Sequence, residues 1–119
     1  MVPEQAKFLW DASQAAQAAQ RFIAGKSFDD YVHDDLLRSA VERQLEILGE
    51  ALNQFRKLAP SLANTVPDLP RAVALRNILI HAYADVDPTI VWSVVTTQLG
   101  GLQARIEQLL EQAGPTAPQ

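Results

Sequence analysis

The chain contains no cysteine, so disulfide staples, thiolate metal sites and a cysteine nucleophile are all excluded. That fits a reducing compartment. No apolar run approaches the roughly 18 residues that a membrane-spanning helix needs. The start, Met1-Val2-Pro3-Glu4-Gln5, lacks the basic residues and apolar stretch of a secretory signal. The expectation is a soluble cytoplasmic protein without a membrane partner. An excess of positive charge is missing too: the formal net charge is −4, which argues against a protein that coats nucleic acid, because phosphate neutralisation supplies most of that affinity. A local basic cleft stays compatible with it. Only five glycines and two histidines occur, so each can be weighed singly.

What is abundant is alanine, leucine and glutamine, in a chain of 119 residues with 48% hydrophobic content. This is a helix-forming composition on the scale of one domain, with enough core to fold unaided. The spacing predicts a first helix from Glu4 to Ala24, with Pro3 in its first turn and Gly25 as a left-handed cap. Its stripe of Phe8, Ala12, Ala15, Ala19 and Phe22 is narrow enough for a close neighbour. Ser27 and Asp30 have capping-box spacing and open a short turn. A second helix runs from Asp35 to Leu58 along Leu37, Val41, Leu45, Leu48, Leu52 and Phe55. Pro60 to Pro70 reads as a loop, a third helix as Pro70 to Tyr83, and a fourth, capped by Asp87 with Pro88 at its first position, as reaching Gln112. Gly100-Gly101 is expected to bend or closely pack that last helix. The fold expected is an all-α antiparallel bundle of four main helices plus short helical turns, one domain over residues 1–113, followed by a disordered tail over 114–119.

The chemistry concentrates in Arg76-Asn77-Ile78-Leu79-Ile80-His81-Ala82-Tyr83. At about 100° per residue, Leu75, Ile78, Leu79 and Ala82 fall on one side, read as the core face. Val73, Asn77, Ile80 and Ala84 fall opposite, framed by Arg76 and Tyr83 on one edge and His81 on the other. An apolar strip framed in this way predicts a covering partner subunit or ligand. The plainer alternative is an ordinary polar face on which Asn77 and His81 pair. On the second helix, Gly49 in a helix interior costs about 1 kcal/mol relative to alanine and points to a close crossing or a cleft. Glu42, Arg43, Glu46 and Glu50 are either a self-paired solvated face or support for a site, with Arg43 and Glu46 the candidates.

No His-Glu-x-x-His or related metal pattern, nucleophile elbow or glycine-rich phosphate loop is present. What remains is metal-free acid–base chemistry on a phosphate, with no cofactor. Histidine can move a proton near neutrality, and arginine can clamp the non-bridging oxygens where charge develops. Such a set suits RNA, whose own 2′-hydroxyl supplies the nucleophile.

At these residues the chain resembles the HEPN superfamily, in its HepT branch. The superfamily motif Arg-x(4–6)-His is met by Arg76 and His81, and the branch's longer form, Arg-Asn-x-x-x-His-x-Tyr, by Asn77 and Tyr83 as well. Ala40 to Ala51 and Asp87 to Trp92 resemble two further signatures of that branch, so the likeness extends from Leu36 to Leu110. The resemblance implies a homodimeric endoribonuclease toxin acting without metal in a cleft between subunits. Arg76 and His81 would be catalytic and Asn77 supporting. It also implies an MntA-like nucleotidyltransferase antitoxin that transfers AMP to Tyr83. A different class of reading is a non-catalytic helical module that presents substrate to such a nucleotidyltransferase.

Overall fold

The computed structural model describes residues 1–113 and contains only helices and turns there. The expected tail over 114–119 lies outside the described residues. Helix α1 spans Pro3–Ile23, α2 Phe28–Val32, α3 Asp35–Leu58, α4 Pro60–Ala63 and α5 Leu69–His81; a 3₁₀ turn, Tyr83–Asp85, leads to α6, Pro88–Ser93. A π-helical turn over Val94–Gln98 then joins α6 to α7, Leu99–Ala113. Four long rods result: α1, α3, α5 and the α6–α7 segment.

The ends are set by local chemistry. Gly25, at φ 76°, takes the left-handed conformation that closes α1. Ser27 Oγ accepts from Asp30 N–H at 3.0 Å while Asp30 Oδ2 accepts from Ser27 N–H at 2.9 Å, so the capping box is complete. Asp34 caps α3 through Leu37 N–H at 3.0 Å, and Asp87 caps α6 through Thr89 N–H at 2.9 Å.

Packing follows the alanine stripe. Ala12, Ala15, Ala16, Ala18 and Ala19 are buried where α1 meets α3 and α7. Gln5 Nε2 donates to Leu58 O, so the start of α1 lies beside the end of α3 and the two run antiparallel. Contacts between α1 and α7 descend in the same opposed order, Gln20 to Gln103 and then Ser13 and Gln17 to Glu107. Every seam residue of α3 from Leu37 to Phe55 is buried, each large one contributing roughly 1.5–3 kcal/mol. Tyr31 is wholly buried against Trp92, ring centroids 5.4 Å apart. Burial pushes its phenol up to about 12.

The structure departs from the expected elements in three places. The stretch from Pro60 holds a one-turn helix, α4, with Ala63 buried. The motif helix stops at His81, because Ala82 at φ −137°, ψ 39° leaves helical geometry, so Tyr83 stands on the 3₁₀ turn instead. The irregularity in the last rod is the π turn rather than Gly100-Gly101, where a Cβ on either glycine would point into open space. There the Thr96 and Thr97 hydroxyls donate to the Trp92 and Ser93 carbonyls, competing with the regular ladder.

Candidate functional site

Gly49 determines where the motif helix sits. A Cβ on it would overlap the Arg76 Cβ and stand 2.8 Å from the Ala72 carbonyl oxygen. Without one, α5 presses its backbone on α3, and Arg76 emerges on the side facing α3. The sequence-based helix phase is corrected accordingly. Val73 is buried at 4% exposure, whereas Ile78, assigned to the core face, is 47% exposed. The inward side is Leu69, Val73, Leu75 and Leu79, with Arg76 at its margin.

Arg76 is held at both ends of its fork. Its Nη2 lies 2.7 Å from Glu50 Oε2, and its Nη1 donates to Asn77 Oδ1 at 2.8 Å. Glu50 Oε1 in turn accepts from Gln54 Nε2 at 2.9 Å. Arg76 Nε is buried and has no hydrogen-bond partner among the described residues. Asn77 therefore turns to Arg76, not to His81.

A groove of about 650 Å³ runs between α1, α3 and α5, and Arg76 lines it with Arg43, Glu46, Glu50 and Ile80. Phe8, Asp11 and Gln14 of α1 form the opposite wall. Arg43 pairs loosely with Glu46 at 3.5 Å and is 67% exposed along its side chain. The candidates Arg43, Glu46 and Arg76 thus share one surface. His81, the last residue of α5, is exposed and leaves the helix about 140° around from Arg76. Tyr83 is 76% exposed just beyond it. Among the described residues no three histidine, aspartate or glutamate side chains are grouped to hold a metal ion.

Sequence reasoning reaches Glu50 only as part of the charged face, with Arg43 and Glu46 preferred to it, and does not reach Gln54. The available signal was the adjacent Gly49: a glycine that admits another helix makes the next carboxylate the one within reach of whatever that helix brings.

This site lies within a chain that has known relatives. The family model described as "Ribonuclease HepT-like" matches residues 12–109. The chain is 33% identical to "Putative RNase MJ1380" of Methanocaldococcus jannaschii, over 84% of this chain and 91% of that protein. It is 31% identical to "Probable ribonuclease HepT" of Thermococcus cleftensis, over 86% and 92%. No solved structure gives a significant match. With the family match covering most of its length, this chain belongs to the HepT-like ribonuclease family of the HEPN superfamily, whose activity class is endoribonuclease.

Proposed function

We propose that the chain is the toxin of a two-component system, a homodimeric endoribonuclease that cuts RNA without metal and is silenced by AMP transfer to Tyr83. The observation that carries this is the composition of one helix and its end. Arg76 is fixed at the groove that Ile80 also lines, His81 and Tyr83 are open to solvent further round and at the end of the same helix, and Ile78 and Ile80 are exposed on it at 47% and 40%. Exposed isoleucines amid a polar set mark a face that a second copy covers. Two copies across that face pool two arginines and two histidines in one cleft, concentrating positive charge there while the outer surface stays acidic.

In that cleft the 2′-hydroxyl oxygen attacks the adjacent phosphorus and its proton passes to one His81 as general base. The bond to the 5′ oxygen breaks, and that oxygen takes a proton from the other copy's protonated His81. Arg76 stabilises the charge gathering on the non-bridging oxygens, and Asn77 holds Arg76. The products are a 2′,3′-cyclic phosphate and a 5′-hydroxyl. The partner that switches the enzyme off is a cognate MntA-like nucleotidyltransferase, for which Tyr83 is accessible.

Expression alone should arrest growth, and purified protein should cut RNA in the presence of a chelator. Arg76→Ala and His81→Ala should each lower cleavage by about 100-fold or more. A wild type that is harmless without a partner and cuts no RNA refutes the proposal and leaves the non-catalytic module. Intact-mass analysis after co-expression with the nucleotidyltransferase should show AMP additions that Tyr83→Phe abolishes; additions surviving that substitution remove Tyr83 as acceptor.

A further inference from the structure

We infer that Glu50 is a positioning residue for the cleavage reaction, fixing the Arg76 guanidinium for phosphate, with Gln54 fixing Glu50 in turn. The inference rests on Arg76 being the phosphate clamp proposed above. Stability does not account for the arrangement. A carboxylate in an ion pair whose side chain is 43% exposed contributes little, and a buried Nε–H without a partner subtracts from stability. What the arrangement does achieve is rigidity. Asn77 on α5 and Glu50 on α3 grip opposite terminal nitrogens of the fork, and both Glu50 oxygens are engaged, one by Arg76 and one by Gln54.

The donor count agrees with this role. A guanidinium has five N–H groups. Glu50 and Asn77 take one each from Nη2 and Nη1, and Nε–H is enclosed. Two donors remain, one on each terminal nitrogen, which is the number a bidentate phosphate contact uses. Arg43, the other cation of the groove, offers a contrast. It is largely exposed and paired only at 3.5 Å within its own helix, so it can attract RNA but is not held in one orientation.

A carboxylate beside the clamp also cancels part of its charge. Glu50 therefore weakens binding of the ground-state phosphate while improving alignment at the moment of reaction, and the two effects separate in kinetics. Glu50→Ala should lower kcat by about 100-fold, the scale of an ångström-level misplacement, with KM unchanged or lower. Glu50→Gln keeps an oxygen for Arg76 and an amide that Gln54 can meet by turning its own, so it should lose kcat only a few-fold with a lower KM. Gln54→Ala should fall between them. Nitrogen NMR of the Arg76 side chain supplies a readout independent of turnover: guanidinium rotation slow in wild type and in Glu50→Gln, averaged in Glu50→Ala. Wild-type kcat in a folded Glu50→Ala, cleavage that rises, or Arg76 rotation as hindered in Glu50→Ala as in wild type overturns the inference. If the wild type cuts no RNA, the ribonuclease reading fails. The NMR comparison then still decides: averaging in Glu50→Ala supports Glu50 as the fixing group, and no change refutes it.

Discussion

Replacing Gly49 by alanine adds one methyl group where α3 and α5 come closest, and two effects of opposite sign compete. Alanine is the better helix former by about 1 kcal/mol. Against that, the new Cβ overlaps the Arg76 Cβ and stands 2.8 Å from the Ala72 carbonyl oxygen, where ordinary contact begins at 3.4 Å. Neither obstacle is the far end of a flexible chain, so α5 itself must move by half an ångström or more. Overpacking of this kind costs about 1–3 kcal/mol, and rigid obstacles place it at the upper end. The net loss is about 2 kcal/mol, or roughly 8 °C in Tm for a domain of this size. Gly100→Ala is the control: nothing lies within 4 Å of its new methyl, so only the propensity gain of about 0.5–1 kcal/mol acts, raising Tm by about 2–4 °C. Thermal and urea unfolding followed by circular dichroism measure both. A Gly49→Ala protein as stable as wild type, or two variants shifting in the same direction, refutes the claim that the crossing is set by this glycine. Because α5 carries Arg76 and His81, Gly49→Ala should also lose RNA cleavage while still folded.

Burial raises the Glu42 carboxyl above its usual value of 4.5, Glu46 adding to the shift and Arg38 opposing it. The folded chain thus holds this proton more tightly than the unfolded one, and the resulting stability is lost as pH rises through the folded-state value. Glu42→Gln should therefore raise Tm at pH 7 and not below the unfolded carboxylate range; melts at both pH values check this, and equal shifts would count against it. Asp87→Ala removes the side-chain cap of α6 and should cost about 1 kcal/mol, or roughly 4 °C, read from the same melts.

How legible each element was depends on what fixed it. The α3 seam from Leu37 to Phe55 could be read because apolar and polar residues alternate there at helical spacing, and nothing outside the helix changes that phase. In α5, Val73, Leu75, Ile78, Leu79 and Ile80 are apolar on nearly every side, so hydrophobicity alone could not orient it. The orientation is instead set by Gly49 and Glu50 on another helix, and a single-helix wheel carries no information about them. Gly49 itself announced a close crossing but not its partner. In the last rod, Val91, Val95 and Leu99 are buried at two successive four-residue steps, just as Leu37, Val41 and Leu45 are in the regular α3, so apolar spacing does not mark the π turn. Arg43, Glu46 and Arg76 were legible as candidates from residue type, whereas the groove they share required three helices to be placed.

Tyr83 is set on the 3₁₀ turn after α5 has ended, with three-quarters of its surface in water. Its ring supports no core layer, and its backbone belongs to no rod. A nucleotide-sized adduct on its oxygen would therefore leave the melting curve where it was, while standing next to the end of the helix that carries His81. If AMP is transferred to Tyr83 as proposed, the protein is regulated without being dismantled: the inactive form would be folded and storable, and removal of the adduct would restore it with no refolding step.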